Sequence, residues 1–386
     1  MPTPRSARPP VGGFRTSSSS RSSKGPTVPG PTPRRRLTAL AAAGLALALS
    51  SACATTSTRA ETTKPVSESG SATAPELRLG YFANVTHATA VYGVGSGVFA
   101  SKLGTTTLKT QTFNAGPAAV EALFGGALDA AYLGPNPAIN AFVKSRGQAI
   151  RIIAGATSGG AALVVRPDIT SAAQLKGKRI ASPQTGGTQD IALRTYLAKN
   201  GLKTDLRGAG YTTIIAEENS QTLQLFKDHK IDGGWVPEPW ASRLVLEGGG
   251  KVLVDEKTLW PEGRFVTTHL IVRTEYLQKY PGTVRALLQG EIEANKQIVA
   301  DPAKAQTLVN AQLKTLTGKA LKPATIARAF ADISVTEDPI ASSLKTSANN
   351  AFATGLVKKS DLKGIYDLRI LDELLGRTVD DAGLGG

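Results

Sequence analysis

The chain has 386 residues, more than one hydrophobic core usually organises, so its length predicts at least two structural units. Its formal net charge is +15, but eight of its 45 basic residues lie in the first 53 residues, which contain no acidic residue. The remainder carries 37 basic against 30 acidic side chains, a net charge of +7, and none of its basic runs is interleaved with aromatic residues. We therefore expect no nucleic-acid partner, whereas a diffuse positive field suits an anionic one.

The amino-terminal segment has the layout of an export signal. Basic residues precede an uncharged run of Leu and Ala over residues 37–52, and this run ends at Cys53. The run has about sixteen residues, fewer than the roughly twenty that span a bilayer as a permanent helix. We therefore expect it to be removed.

Cys53 is the only cysteine of the sequence, which excludes an intramolecular disulfide. It follows a Ser-Ser-Ala tripeptide that resembles a bacterial lipobox, although Ser50 occupies the position where that motif usually has Leu. We predict that residues 1–53 are a lipoprotein signal peptide and that acylated Cys53 tethers the protein to the membrane. Cleavage without lipidation is the alternative, and Arg35-Arg36 leaves twin-arginine export open.

Residues 54–75 are rich in Ser, Thr, Ala and Glu, which predicts a flexible tether. From Glu76 onward, short β-like runs alternate with helical stretches, which predicts βαβ units with mostly parallel sheets and helices on both faces. The predicted strands are 77–82, 106–113, 130–133, 150–154, 179–182, 212–216, 231–236 and 251–254. After Glu275 the pattern is almost entirely helical, for example over 281–299 and 323–330.

Two further apolar runs, 161–165 and 268–272, are predicted to be strands that cross between two lobes. Lobe 1 would comprise residues 76–163 together with 268–386, which includes the C-terminal helices, and lobe 2 would comprise residues 164–267. Crossings that lie side by side would form a hinge above a ligand cleft. The expected fold class is therefore α/β with two lobes.

Three strand-to-helix loops have the residue types of an anion site, because a free helix N-terminus presents unpaired N–H donors and a partial positive charge. They are 113–117, 133–137 and 182–190. In the second loop we predict Asn136 as the N-cap and Pro137 as the first helical residue. Ordinary turns use the same residue types, so one such loop alone does not indicate a ligand site. The distribution of the three loops over both predicted lobes is what favours anion binding.

Few other residues suggest chemistry. His87 follows the first predicted strand and His269 lies in the second crossing, and each fits a ligand contact or a structural histidine equally well. Trp235 and Glu238 fit either a cleft wall or a rigid turn. The sequence contains no pair of histidines with metal-ligand spacing, no C-x-x-C and no G-x-S-x-G motif, so we expect no metal site, no cofactor and no catalytic residue.

The blocks 113–117, 121–140, 153–160 and 232–240 carry a family resemblance. Over about residues 77–375 the chain resembles the aliphatic sulfonate, nitrate and taurine family of ABC-importer substrate-binding proteins, and it is most similar to the aliphatic sulfonate branch. The resemblance implies a type II periplasmic-binding-protein fold, no catalysis, and delivery of a small anion such as an alkanesulfonate to a membrane permease. By position it implies ligand contacts at Asn84, His87, Pro135, Asn136, Thr157, Ser158, Thr185, Gly187, Thr188, Gln189, Trp235, Glu238, Thr268 and His269.

The loop from Thr185 to Thr188 differs from the Leu-Gly-Asn-Thr form that is commoner in that family, so the ligand is left open. Nitrate, taurine and a thiamine-pathway pyrimidine are alternatives. An enzyme on the same two-lobed fold is another, although a removable signal argues against a cytosolic enzyme. We expect an exported monomer that is lipid-anchored at the extracytoplasmic face of the cell membrane.

Overall fold

The computed structural model describes residues 71–204 and 211–386. The predicted signal peptide and lipidation site, residues 1–53, lie outside this part of the chain. In chain order, the strands are β1 (Glu76–Phe82), β2 (Thr107–Phe113), β3 (Ala130–Leu133), β4 (Ile150–Gly159), β5 (Ala161–Val165), β6 (Arg179–Ser182), β7 (Thr213–Ala216), β8 (Gly233–Pro237), β9 (Lys251–Asp255), β10 (Val266–Arg273) and β11 (Ile333–Val335).

Helices connect these strands and form the C-terminal part of the chain. They are α1 (Ala88–Gly95), α2 (Val98–Leu103), α3 (Gly116–Phe124), α4 (Pro135–Lys144), α5 (Thr188–Lys199), α6 (Asn219–Lys227), α7 (Trp240–Leu246), α8 (Thr274–Lys279), α9 (Pro281–Ala300), α10 (Pro302–Thr317), α11 (Pro323–Ala331), α12 (Ala341–Ala353) and α13 (Arg369–Leu375). None of the described helices is long and apolar enough to span a bilayer.

The strands form two sheets. The large sheet has six strands in the order β11-β4-β10-β3-β1-β2, and the small sheet has five in the order β7-β6-β8-β5-β9. In the large sheet β1 pairs in parallel with β2 and β3, and in the small sheet β6 pairs in parallel with β7 and β8. These parallel triplets are the βαβ units that the alternating pattern predicted.

Each sheet also contains antiparallel strands, so the prediction of mostly parallel sheets was wrong. β10 runs antiparallel to β3 and β4, and β5 runs antiparallel to β8 and β9. The reason is the connectivity, because β4 leads directly into β5 and β9 leads back to β10. Of these strands, β10 and β5 pair with the triplet edges β3 and β8, and β4 and β9 pair in turn with β10 and β5.

The chain passes from the large to the small sheet at Gly159-Gly160, between β4 and β5. Both glycines have positive φ angles, +79° and +74°, which a residue with a Cβ adopts only under strain. A Cβ on Gly160 would lie 2.4 Å from a methyl group of Ile333. The chain returns between β9 and β10 through two short 3-10 turns, Glu256–Leu259 and Pro261–Gly263.

Burial explains why most strands were predictable. Every residue of β3, β5 and β8 is buried, as expected for strands covered by helices on both faces. One apolar core lies around the large sheet, and two smaller clusters lie on the small sheet. The last residues of the predicted tether contact the large-sheet part: the backbone N–H of Ala74 donates to Thr283 Oγ1 at 2.7 Å.

Candidate ligand-binding cleft

The carboxyl ends of six parallel strands face one cleft, which we call the inner cleft. Residues that follow β1, β2 and β3 line it from the large sheet, and residues that end or follow β6, β7 and β8 line it from the small sheet. It encloses about 440 Å³ of empty space, including its opening. This is the position at which open α/β sheets bind ligands.

His87 contributes a hydrogen-bond donor to the inner cleft. Its imidazole is buried and stacks on Phe82, with ring centroids 4.2 Å apart, and its Nδ1 accepts the Phe82 N–H at 3.4 Å. Burial lowers the pKa of His87 to about 3, so the ring is neutral at pH 7. In a neutral imidazole whose Nδ1 accepts, Nε2 carries the proton. That N–H has no partner among the described residues and is available to a ligand.

Helix α5 directs its N-terminus at the inner cleft. Gly187 is the N-cap, and Thr188 and Gln189, the first two helical residues, both line the cleft. Their backbone N–H groups have no acceptor within the helix, and the helix dipole adds partial positive charge there. The small sheet therefore supplies backbone donors together with the Thr188 hydroxyl.

The acidic residue in the first turn of α5 does not oppose an anion. Asp190 is fully buried, and its carboxylate accepts from Ser182 Oγ at 3.1 Å and from the Gly186 N–H at 2.8 Å. It also forms an ion pair with Arg194, whose Nε lies 2.9 Å away. Ser182, Gly186 and Arg194 therefore compensate the negative charge of Asp190.

Helix α4 begins two residues earlier than predicted. Gly134 is the N-cap and Pro135 the first helical residue, because the fixed φ of proline suits that position. Pro135 and Pro137 have no N–H, so among the first three helical residues only Asn136 retains a backbone donor. The Asn136 side chain does not face the cleft: its Nδ2 donates to the carbonyl of Ser347 at 3.2 Å.

Gly134 and Thr188 bring the two sheets together across the inner cleft. A Cβ built on Gly134 would lie 2.1 Å from Thr188 Oγ1 and 3.4 Å from the carbonyl oxygen of Thr267. Only glycine leaves room for this approach. Two hydrogen bonds also join the two sides, from the Thr86 N–H to the Glu238 carbonyl at 3.3 Å and from Trp240 Nε1 to Asn84 Oδ1 at 2.9 Å.

None of the described residues that line the inner cleft carries a charge at neutral pH. The donors come instead from backbone N–H groups, hydroxyls, carboxamides and a neutral imidazole. Such groups stabilise an anion when several converge on it, as at other helix N-termini.

A larger cavity, which we call the outer chamber, adjoins the inner cleft. It encloses about 1120 Å³ of empty space, including its opening, and Asn84, Asn114 and Asn219 line both cavities. Asn219 is buried, and its Oδ1 has no hydrogen-bond partner in the described part of the protein. Trp240 lines the chamber from α7.

The inner cleft brings together six of the fourteen predicted site residues, and the structure places the other eight elsewhere. The six in the cleft are Asn84, His87, Gly187, Thr188, Gln189 and Thr268. The eight outside it are Pro135, Asn136, Thr157, Ser158, Thr185, Trp235, Glu238 and His269.

Trp235 is a core residue rather than a cleft wall. Its side chain is fully buried in the small-sheet part and packs against Tyr196, with ring centroids 5.6 Å apart. Its Nε1 donates to Glu256 Oε2 at 2.7 Å, which satisfies the indole N–H inside the core. Trp240, five residues further on, is the indole that lines a cavity.

Glu238 faces a separate cavity beside the crossing at Gly160, together with Arg328 and Asp332. It is 1% exposed, and its carboxylate accepts from Ser242 N at 3.1 Å and from Ser242 Oγ at 3.0 Å. Burial, together with the neighbouring carboxyl group of Asp332, raises the pKa of Glu238 to about 7. Its side chain therefore belongs to the crossing rather than to the inner cleft.

The remaining predicted residues lie in strands or in an exposed loop. His269 is buried in β10, where its Nε2 lies 3.0 Å from the Pro339 carbonyl and burial lowers its pKa to about 4. Thr157 is buried in β4 and pairs with Thr268 of β10, whereas Ser158 lines a different cavity. Thr185 is exposed at the tip of its loop.

The sequence analysis did not assign several cleft residues as ligand contacts. Asn114, Gly116, Gly134, Pro137 and Gln184 lie in loops that had been singled out, but Asn219 does not. Asn219 carries the same signal as the others, since it begins a helix shortly after a strand. Applying that signal to the 212–216 strand would have found it.

No group of three or more His, Cys, Asp or Glu residues in the described ranges could hold a metal ion. The residues that converge on the inner cleft are hydrogen-bonding groups rather than ligands of the usual metal sites.

A family model described as the NMT1-like family matches residues 70–313, more than half of the chain. The chain belongs to the NMT1-like family. The taurine-binding periplasmic protein of Escherichia coli K12 is 28% identical over 197 residues, which cover 51% of this chain and 59% of that protein. This NMT1-like chain spans about three fifths of the length of the first curated relatives it matches.

Solved structures confirm the fold of this NMT1-like protein. The alkanesulfonate-binding protein SsuA from Xanthomonas axonopodis pv. citri, bound to MOPS, superposes with a TM-score of 0.62 at 23% identity, covering 75% of this chain and 96% of that one. The periplasmic nitrate-binding protein NrtA from Synechocystis PCC 6803 gives 0.64 at 18% identity, covering 75% and 84%. The predicted periplasmic-binding-protein fold and the family resemblance are therefore confirmed.

Proposed function

We propose that this protein is the extracytoplasmic solute receptor of an ABC importer, and that it captures a small organic sulfonate in the inner cleft for delivery to a membrane permease. The observation that carries the proposal is the inner cleft itself, where uncharged donors from both sheets converge. The N-terminus of α5, the Thr188 hydroxyl and the Nε2–H of His87 offer donors from different directions. A sulfonate group has three oxygens that accept such bonds.

Two observations bear on which oxyanion binds. The relatives and structural neighbours are named for taurine, alkanesulfonate and nitrate, which all carry negatively charged oxygens. Nitrate has no organic part and would leave the adjoining outer chamber to solvent, whereas an organic sulfonate can extend into it. We therefore rank nitrate below a sulfonate.

We also propose that the ligand closes two lobes, residues 76–163 with 268–386 and residues 164–267, about the two crossings between the sheets. The positive φ angles at Gly159 and Gly160 support a pivot at the first crossing. The close approach of Gly134 to Thr188 supports a closed state in which residues of both lobes surround the ligand.

The proposed function predicts that methanesulfonate binds the purified receptor and that Thr188→Val weakens its binding about ten- to a hundredfold. Valine keeps the shape of threonine but removes the hydroxyl that lies in the inner cleft. Titration calorimetry with methanesulfonate, taurine and nitrate measures this effect directly. Thr315→Val, an exposed position on α10, is the matched control and should bind as the parent does.

Calorimetry also separates the alternatives. Nitrate bound more tightly than every sulfonate would replace the sulfonate proposal by the nitrate one. Equal methanesulfonate affinity in the Thr188→Val variant and the parent would show that the ligand does not use the inner cleft.

We further propose that residues 1–53 direct export and that Cys53 carries the lipid anchor. Metabolic labelling with a fatty-acid analogue should label the parent protein and leave Cys53→Ala unlabelled and released in soluble form. A parent protein that takes up no label would contradict the lipid anchor while leaving the binding function untouched.

A further inference from the structure

The outer chamber adjoins the inner cleft but differs from it in size and chemistry. Asn84, Asn114 and Asn219 line both cavities and therefore lie at their boundary. The chamber encloses about 1120 Å³ of empty space against about 440 Å³ in the inner cleft, each including its opening. A methyl or ethyl group attached to a sulfonate would leave the chamber largely empty.

Apolar side chains from both parts of the protein line the chamber. Phe113 and Leu321 belong to the large-sheet part, and Pro239 and Trp240 belong to the small-sheet part. Apolar surface that a ligand removes from water contributes to affinity in proportion to its area. A ligand with a larger apolar group therefore gains contacts here that a short one lacks.

Trp240 is held in a fixed orientation in this wall. Its Nε1 donates to Asn84 Oδ1 at 2.9 Å, and the guanidinium of Arg243 lies 4.7 Å from its ring centroid. Arg243 is itself held by Glu247, with Nε to Oε1 at 3.0 Å. A ring that is already ordered binds a flat partner without a further loss of side-chain entropy, and stacked aromatic pairs gain more than their area predicts.

We propose that the outer chamber holds the organic part of the same ligand and selects a ring-bearing sulfonate over a short-chain one, with Trp240 as the specificity-determining residue. This proposal rests on the proposed function, because it requires the sulfonate group to occupy the inner cleft. Trp235 was the tryptophan predicted to contact the ligand, but it is buried in the core. The proposal assigns the contact with the organic part to Trp240.

The test uses three probes: methanesulfonate, hexane-1-sulfonate and naphthalene-2-sulfonate. The parent should bind naphthalene-2-sulfonate at least tenfold more tightly than methanesulfonate and more tightly than hexane-1-sulfonate. In Trp240→Ala the ratio of naphthalene-2-sulfonate to methanesulfonate affinity should fall below about threefold. The ratio is the readout, because loss of the bond to Asn84 also affects the sulfonate site.

Three further variants make the result specific. Trp240→Phe keeps a ring without the indole N–H and should retain most of the ratio. Leu321→Ser changes the large-sheet wall of the chamber and should also lower the affinity ratio. It provides the test if Trp240→Ala folds poorly. Trp260→Ala removes an indole that stacks on Phe265 outside both cavities and should keep the parent ratio.

The possible failures are distinct. If methanesulfonate binds but the parent shows no preference for naphthalene-2-sulfonate, or if Trp240→Ala keeps the full preference, the chamber proposal is overturned and the proposed function stands. If none of the three sulfonates binds, the proposed function falls and the chamber proposal falls with it.

Discussion

Gly134→Ala should weaken methanesulfonate binding by at least tenfold and keep the protein expanded in solution at a ligand concentration that closes the parent. The added Cβ would lie 2.1 Å from Thr188 Oγ1 and 3.2 Å from Thr188 Cβ, much closer than unbonded atoms pack. Rotation of the Thr188 side chain about χ1 would move Oγ1 but not Cβ, which would stay 3.2 Å from the added atom, so we expect the two sides of the cleft to separate. Separation removes the α5 donors from a ligand held by the large-sheet residues.

Calorimetry gives the affinity, and small-angle scattering gives the radius of gyration with and without ligand. The matched control is Gly125→Ala, because Gly125 and Gly134 have φ angles of −73° and −72° and the same atom is added. Gly125 follows α3 away from both cavities, where the nearest atom to its Cβ would be a backbone oxygen at 3.3 Å. Affinity of Gly134→Ala within twofold of the parent would show that this contact does not limit closure.

Glu238→Gln should change the free energy of unfolding by an amount that depends on pH. The difference between the variant and the parent should favour the variant by about 3 kcal/mol more at pH 8 than at pH 4.5. The pKa of Glu238 is raised from 4.5 to about 7, first by burial and further by Asp332. The folded state therefore holds a proton that the unfolded state has lost between these pH values. This contribution is fully present below pH 4.5 and is lost as the pH rises to about 7.

Urea unfolding at several pH values measures the difference between the variant and the parent. The variant must be compared with the parent at each pH, because other titrating groups also make the unfolding free energy of the parent depend on pH. His87 and His269 have pKa values lowered to about 3 and about 4, so they contribute stability that is lost as the pH falls below 6.5. Glu256, with its pKa raised to about 7, acts in the same direction as Glu238.

Glutamine keeps the shape of the Glu238 side chain and an oxygen that can accept from Ser242. The exposed Glu121→Gln on α3 controls for the loss of one negative charge. A stability difference between Glu238→Gln and the parent that stays constant from pH 4.5 to 8 would rule out protonation of Glu238 in the folded state.

The strands were predictable where burial imposes an unbroken apolar run. The predicted strands coincide with β1, β2, β3, β6, β7 and β9 to within one residue at each end, and 161–165 coincides with β5. β4 continues five residues beyond its prediction, because its small and polar end pairs with β10 and β11. β11 was missed because its three residues form a strand only through pairing with β4.

The candidate site was predictable as a set of loops but not as a set of side chains. The rule that ligands bind beyond strand carboxyl ends selected the loops around Asn114, Gly134 and Thr188, all of which line the inner cleft. Which side chain faces inward depends on packing that leaves no periodic signal. All five residues of β8 are buried, so no alternation distinguished Trp235 in the core from a cleft residue.

The same limit applies to Asn136. The strand-to-helix junction was located correctly, but the helix begins at Pro135, so Asn136 lies inside it and its carboxamide reaches Ser347 of α12. That contact joins residues 211 positions apart in the chain, so local sequence could not reveal it.

The central claim is that a sulfonate group binds the N-terminus of α5 inside the inner cleft. A crystal structure of the receptor grown with methanesulfonate tests it most directly. We predict sulfonate oxygens within about 3 Å of the Thr188 and Gln189 backbone nitrogens, with His87 Nε2 as a further donor. A sulfonate bound elsewhere, with the inner cleft occupied only by water, would contradict the account.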